Sequence, residues 1–247
     1  MQLGDCKMDL YESIFVRKSV RSYTQNPLDE KVLLAIDGFI AQVPTLISGS
    51  QIHFDISSRS RAFSTAKAPY YINIFCPPHE FDLENIGFIW EFVSLYLTSQ
   101  GIGSCFLGMK NFFLEDRGPY PYAVTLAFGM ANGSPYRTYE EFNRKPLEEI
   151  SSGEDPRIEA ARLAPSGLNV QAWFYACHGG VIDVYRKTAF HYSASMFLRI
   201  ARISMGVALA HLYIASHALN MPFEFVMHAS APDKPGYEYI GTICETR

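Results

Sequence analysis

The alternation of apolar and polar positions along the chain predicts a regular succession of helices and strands. Leu10, Ile14 and Phe15 place a short helix over 9–15, which runs into the basic turn Arg17-Lys18-Ser19-Val20-Arg21-Ser22-Tyr23. Val32, Leu33, Ile36, Phe39 and Ile40 follow the 3.6-residue period of a second helix, capped by Asn26-Pro27 and ending before Pro44. Residues 51–56 read as a strand, 57–67 as a polar loop, and 68–77, APYYINIFCP, as a buried strand rich in aromatic and β-branched residues. Residues 82–100 form a long apolar helix stopped by Gly101 with Gly103, and a further strand spans 123–129.

The most polar and turn-rich stretch, 131–156, reads as a linker, and beyond it the order of elements starts again. A helix over 157–163 ends at Pro165, strands at 172–178 and 181–185 flank Gly179-Gly180, a long helix covers 197–219, and a last strand covers 237–244. Pro44 against Pro165, Gln51 against Gln171 and Gly87 against Gly206 give offsets of 121, 120 and 119. The two long helices align at their glycines. A two-fold duplication is inferred, with one half over 1–150 and the other over 151–247. Such a duplication makes a single-chain version of a symmetric dimer, whose sites draw groups from both halves.

Composition narrows the class. Over 247 residues, 48% are hydrophobic and 19% charged, with a mean hydropathy of zero, which excludes disorder and collagen. A net charge of −4 leaves no global basic field to recruit nucleic acid or an anionic membrane, so cations matter locally. Five cysteines without a C-x-x-C pair read as buried thiols in a reducing compartment, and no metal site is expected. The opening MQLGDCKMDL lacks a signal-peptide core, and the longest apolar stretches are interrupted by Glu91, Arg202 and His211. A cytoplasmic protein without a membrane span is the expectation.

Two segments carry a family resemblance. RKSVRSY (17–23) is similar to the Arg-Arg-Ser-x-Arg-x-Phe opening of the FMN-dependent nitroreductases, and APSGLNVQAW (164–173) resembles their A-P-S-x-x-N-x-Q-P-W segment, with Ala172 in place of proline. The likeness extends to QGIGSCFLG (100–108) and to NRKPLEE (143–149), which looks like the basic segment preceding the family's C-terminal arm. It implies an α+β, nitroreductase-like fold. In ordinary members all these motifs lie in one protomer, and the homodimer holds two FMN molecules at its interface. Here the cation motif and the P-S-x-x-N motif lie in different halves, as in a compact branch whose single chain folds as a pseudo-dimer. The reciprocal site lacks its motifs, since Pro44, Thr45 and Ser48 stand where Pro, Ser and Asn would, and EEISSGEDPR is acidic. The implied stoichiometry is one FMN per chain, and the chain can be monomeric.

The resemblance also implies residue roles. Arg17, Arg21 and Arg144 would meet the phosphate as guanidinium forks. Lys18 and Ser19 would meet the ribityl chain or the ring edge, where a cation stabilises reduced flavin. Pro165, Ser166, Gly167, Asn169 and Gln171 would form the flavin-facing turn, and Gly108 with Met109 would bring backbone N–H groups near flavin N5. NADH or NADPH would deliver hydride and give way to a small-molecule electron acceptor in the same slot, which requires no protein acid or base. Each motif alone has a plainer explanation: RKSVR as a solvated basic turn, PSGLN as a helix-stop turn, Gly108 as a strand end. His211 and His217 lie on different helix faces and read as structural, and Cys105 reads as core. Three alternatives stay open: a flavin binder without turnover, a module whose site has eroded, and a flavin-fragmenting or dehalogenating relative.

Overall fold

The computed structural model describes residues 8–49, 53–64, 66–76, 80–108, 120–188, 194–227 and 232–244. Helix α1 (Leu10–Ile14) starts in a reciprocal cap, in which the Asp9 carboxylate accepts the Glu12 N–H at 2.7 Å and the Glu12 carboxylate accepts the Asp9 N–H at 3.0 Å. Helix α2 (Glu30–Ile40) is capped by Asp29, whose side chain accepts the Lys31 N–H at 2.9 Å, rather than by Asn26-Pro27. Strands β1 (His53–Ser57) and β2 (Tyr70–Phe75) precede the long helix α3 (Asp82–Ser99). That helix stops where Gly101, at φ +74°, donates to the Thr98 carbonyl and Ile102 donates to Leu97, both at 2.9 Å. Gly103 is not part of the stop. It opens strand β3 (Gly103–Leu107), which pairs with β4 (Tyr122–Gly129).

Farther along the chain, the short helix α4 (Leu147–Ile150) and β5 (Ser151–Ser152) lead to α5 (Ile158–Arg162), β6 (Trp173–His178), β7 (Val181–Lys187), α6 (Ala194–Ala218), β8 (Glu224–Val226) and β9 (Tyr237–Cys244). The first sheet has the order β1-β2-β4-β3, all antiparallel. The second has the order β5-β6-β7-β9-β8, so apart from the added parallel strand β5 it repeats the first.

Helices α3 and α6 cross at the centre of the molecule through two glycines. A Cβ on Gly87 would lie 1.9 Å from the Ile203 carbonyl oxygen and 2.9 Å from the Val207 nitrogen. A Cβ on Gly206 would lie 1.8 Å from the Glu84 carbonyl oxygen and 2.8 Å from the Phe88 nitrogen. Each glycine thus meets residues three before and one after the other, and only hydrogen fits at either point. Phe88, Phe92 and Leu95 of α3, Met205, Leu209 and Leu212 of α6, and Trp173 and Val184 of the second sheet fill one continuous core. The segment 197–218 of α6 is long and apolar enough to cross a membrane, and it is buried mostly inside this core.

The polar stretch 131–146 is not a free linker. It pairs with the first half through the Asn132 N–H to Ser22 (3.0 Å) and the Arg137 N–H to Val16 (2.9 Å), then reaches the second half through Lys145 and Gln171 (2.8 Å). Its polarity comes from backbone and side-chain bonds made across both halves, which composition does not distinguish from solvation.

Candidate functional site

After α1 the chain extends, and its basic segment is fixed by three isolated pairings, Arg17 with Tyr136, Ser19 with Ser104, and Tyr23 with Ala131. Val20 turns inward and packs on Gly103, where a Cβ would come within 2.7 Å of it. Arg17 is buried. Its Nε lies 3.4 Å from Glu91 Oε1 of α3 outside hydrogen-bonding geometry, and its Nη2 has no partner. Lys18 and Ser19 are half-buried, and Arg21 is exposed with Nη1 3.5 Å from the Ser19 carbonyl oxygen. Gly108 follows β3 and faces open space, and Met109 lies outside the described residues.

The turn 165–171 follows α5. Ser166 Oγ accepts the Gln171 N–H at 2.9 Å, and the Gly167 N–H donates to Ser204 of α6 at 3.1 Å. Gly167 is required there, because a Cβ would lie 2.2 Å from Ile200 Cγ2. Leu168, Asn169 and Gln171 all take positive φ, of 54°, 56° and 49°. Such backbone costs about 1–3 kcal/mol per residue and persists only where its surroundings over-determine it.

Those surroundings come from the polar stretch 131–146, a strap laid across both halves. Asn169 Oδ1 accepts from Arg144 Nη1 at 3.0 Å, and its amide donates to the Asn143 carbonyl at 3.0 Å. Gln171 Oε1 accepts the Lys145 N–H at 2.8 Å, and Lys145 Nζ donates to the Gln171 carbonyl at 3.2 Å. The side chains of Ser166, Asn169 and Gln171 therefore shape the turn, while Leu168 stands 74% exposed at its tip. Behind the turn, Ser166, Val170, Phe197 and Ile200 line a narrow apolar recess.

Arg144 also donates to the Leu163 carbonyl through Nε (3.3 Å) and Nη2 (3.1 Å). Its pKa is lowered to about 10 by burial and then by the charges of Arg17 and Arg137. Arg137, which sequence reasoning passed over, is lowered to about 10 by burial and then by Arg17, and its Nε has no partner. Arg17, Arg137 and Arg144 thus form a cluster in which Glu91 and Glu141 are the acids felt. Buried guanidinium N–H groups without acceptors are costly. A dianion would satisfy them and offset the mutual repulsion, so the cluster fits a phosphate group.

Glu91 and His211 were also missed as site residues, although both appear in the sequence as interruptions of apolar stretches. In the fold they meet: His211 Nε2 lies 3.0 Å from Glu91 Oε1, the oxygen facing Arg17. The Cys105 thiol sits in the core with its pKa raised by burial, against the pull of Arg21 and Arg17, and is no nucleophile. Among the described residues, no group of three His, Cys, Asp or Glu is placed to hold a metal ion.

Comparison with known proteins gives one family. The model described as "Putative TM nitroreductase" matches residues 9–216. A crystal structure of a protein of nearly the same description, from Thermotoga maritima MSB8, superposes with a TM-score of 0.69 at 20% identity, covering 98% of this chain and 96% of that one. A nitroreductase with bound FMN from Desulfitobacterium hafniense DCB-2 gives a TM-score of 0.47 at 16% identity, covering 60% of this chain and all of that one. No curated protein matches.

Proposed function

The chain belongs to the nitroreductase family whose model spans residues 9–216, and on that premise we propose that it is an FMN-dependent NAD(P)H oxidoreductase acting on a small electron acceptor. The observation that carries the proposal is the arginine cluster. Arg17 from the first half and Arg137 and Arg144 from the strap converge beside the strained 165–171 turn, with buried guanidinium nitrogens lacking acceptors.

These residues fit FMN. Arg17, Arg137 and Arg144 would hold the phosphate, with Arg21 at its exposed side. Lys18 and Ser19, half-buried on the same extended segment, would face the ribityl chain or ring edge, and Lys18 there favours a negatively charged reduced ring. When bound, FMN supplies two-electron chemistry between NADH or NADPH and the acceptor. Ser166, Asn169 and Gln171 hold the turn in its shape, and no side chain is assigned as acid or base. We further propose that residues 1–150 and 151–247 are copies of one unit, so that a single chain supplies groups that a homodimer would draw from two protomers.

The test is the absorption spectrum of the purified protein with and without added FMN, followed by anaerobic addition of NADH and of NADPH. Near one FMN per chain that bleaches with either nucleotide is expected, with flavin lost from the Arg17→Ala, Arg21→Ala double variant. Flavin that does not bleach indicates a binder or another reductant. A colourless protein that ignores FMN overturns the reading.

A further inference from the structure

We propose that His211 is a positioning residue for the anion site, acting through Glu91 to leave the charge of Arg17 uncancelled; the inference rests on the FMN-binding reading above. Three buried side chains form a line from the site into the helix crossing. Arg17 Nε lies 3.4 Å from Glu91 Oε1, the same oxygen lies 3.0 Å from His211 Nε2, and His211 Nδ1 lies 2.8 Å from the Ala160 carbonyl oxygen. Arg17 is 1% exposed, and Glu91 and His211 are fully buried.

A carbonyl oxygen only accepts, so Nδ1 carries a hydrogen. Nε2 and Oε1 both present lone pairs, so a contact of 3.0 Å needs a second proton between them. Whether that proton rests on nitrogen or on oxygen, the Glu91–His211 pair sums to zero charge. An isolated Glu91 beside Arg17 would make a neutral ion pair with little attraction for an anion. With His211 in place, the buried unit keeps one positive charge. The geometry of Glu91 agrees: Oε2 has no partner, and Arg17 makes no two-pronged pair with it, although a free carboxylate at this distance would draw one.

The test measures equilibrium binding of FMN, and separately of inorganic phosphate, to the wild type, His211→Asn, Glu91→Gln and the double variant. Asparagine can keep a donor toward the Ala160 carbonyl and removes the second ring nitrogen. His211→Asn should weaken both ligands about tenfold or more, the scale of one charge-assisted contact. Adding Glu91→Gln should restore affinity to within about threefold of wild type, because charge rather than packing was lost. Glu91→Gln alone should not tighten binding.

A double variant as weak as His211→Asn, an unchanged single variant, or a tenfold gain in Glu91→Gln each overturns the inference. Should His211→Asn alone fail to fold, the double variant against wild type decides, with retained affinity in favour and a tenfold loss against. A wild type that binds phosphate and not FMN sinks the flavin reading while the phosphate series still decides this one. Phosphate binding to none of the four overturns it.

Discussion

The guanidinium groups of Arg137 and Arg144 share the ring of Phe142, 4.7 and 5.5 Å from its centroid. Burial holds these like charges together, which is why both pKa values drop to about 10. A base whose folded-state pKa is depressed carries a penalty while it is protonated. The penalty is in full force below about pH 10 and is relieved as pH rises from there toward the ordinary arginine value. Arg137→Gln should therefore leave the melting temperature of the ligand-free protein unchanged or slightly higher, while weakening FMN binding about tenfold, as read by flavin titration. Inorganic phosphate should raise the melting temperature of the wild type throughout pH 6–9, and less so above pH 10. Arg17 and Arg144 were legible as members of motifs. Arg137 was not, because its role depends on Tyr136 pairing with Arg17 across 119 positions of sequence.

Two helices and their glycines fix how the elements sit. Elements with a strong period or a long apolar run were legible: α2, β2, α3, α6 and β9 fall close to where the pattern puts them. The short strands β3, β5 and β8 were not. β3 begins with Gly-Ser directly after a helix stop, and β5 and β8 span two and three residues, too few for any alternation to register. Each exists because a longer neighbour offers it a free edge. The glycine at each helix crossing was visible as a landmark, but its necessity appears only in the fold. Gly206→Ala forces its Cβ to 1.8 Å from the Glu84 carbonyl oxygen, a backbone atom that cannot swing aside. Urea unfolding should show a loss of about 3 kcal/mol, the upper end for overpacking, or an insoluble protein. An alanine at Gly108, which faces open space, should unfold within about 0.5 kcal/mol of wild type.

At the scale of the whole chain, the two halves are alike in scaffold and unlike in chemistry. Asn85 of α3 accepts the N–H groups of Leu46 and Ile47 at 2.8 and 3.2 Å, and Ser204 of α6 accepts that of Gly167 at 3.1 Å. Asn85 and Ser204 each stand two residues before a crossing glycine, so both halves anchor a post-helix turn on the same point of their long helix. The arginines break this symmetry. Before α5, Arg157 is buried like Arg17, yet its nitrogens are satisfied by Asp155 (2.7 and 2.8 Å), the Gly180 carbonyl (2.9 Å) and the Pro222 carbonyl (3.0 Å). It has a carboxylate fully to itself and no donor left over for a ligand, whereas Arg17 shares its carboxylate with a histidine and keeps donors unpaired. Among the described residues, unpaired arginine donors thus remain on one side of the duplication only, which supports the proposed single anion site per chain. Sedimentation equilibrium with flavin absorbance should find a 27.9 kDa particle that saturates at one FMN. Saturation at two would mean that the reciprocal site survives without its arginines. One FMN per two chains would mean that the halves complete their sites between molecules rather than within one chain.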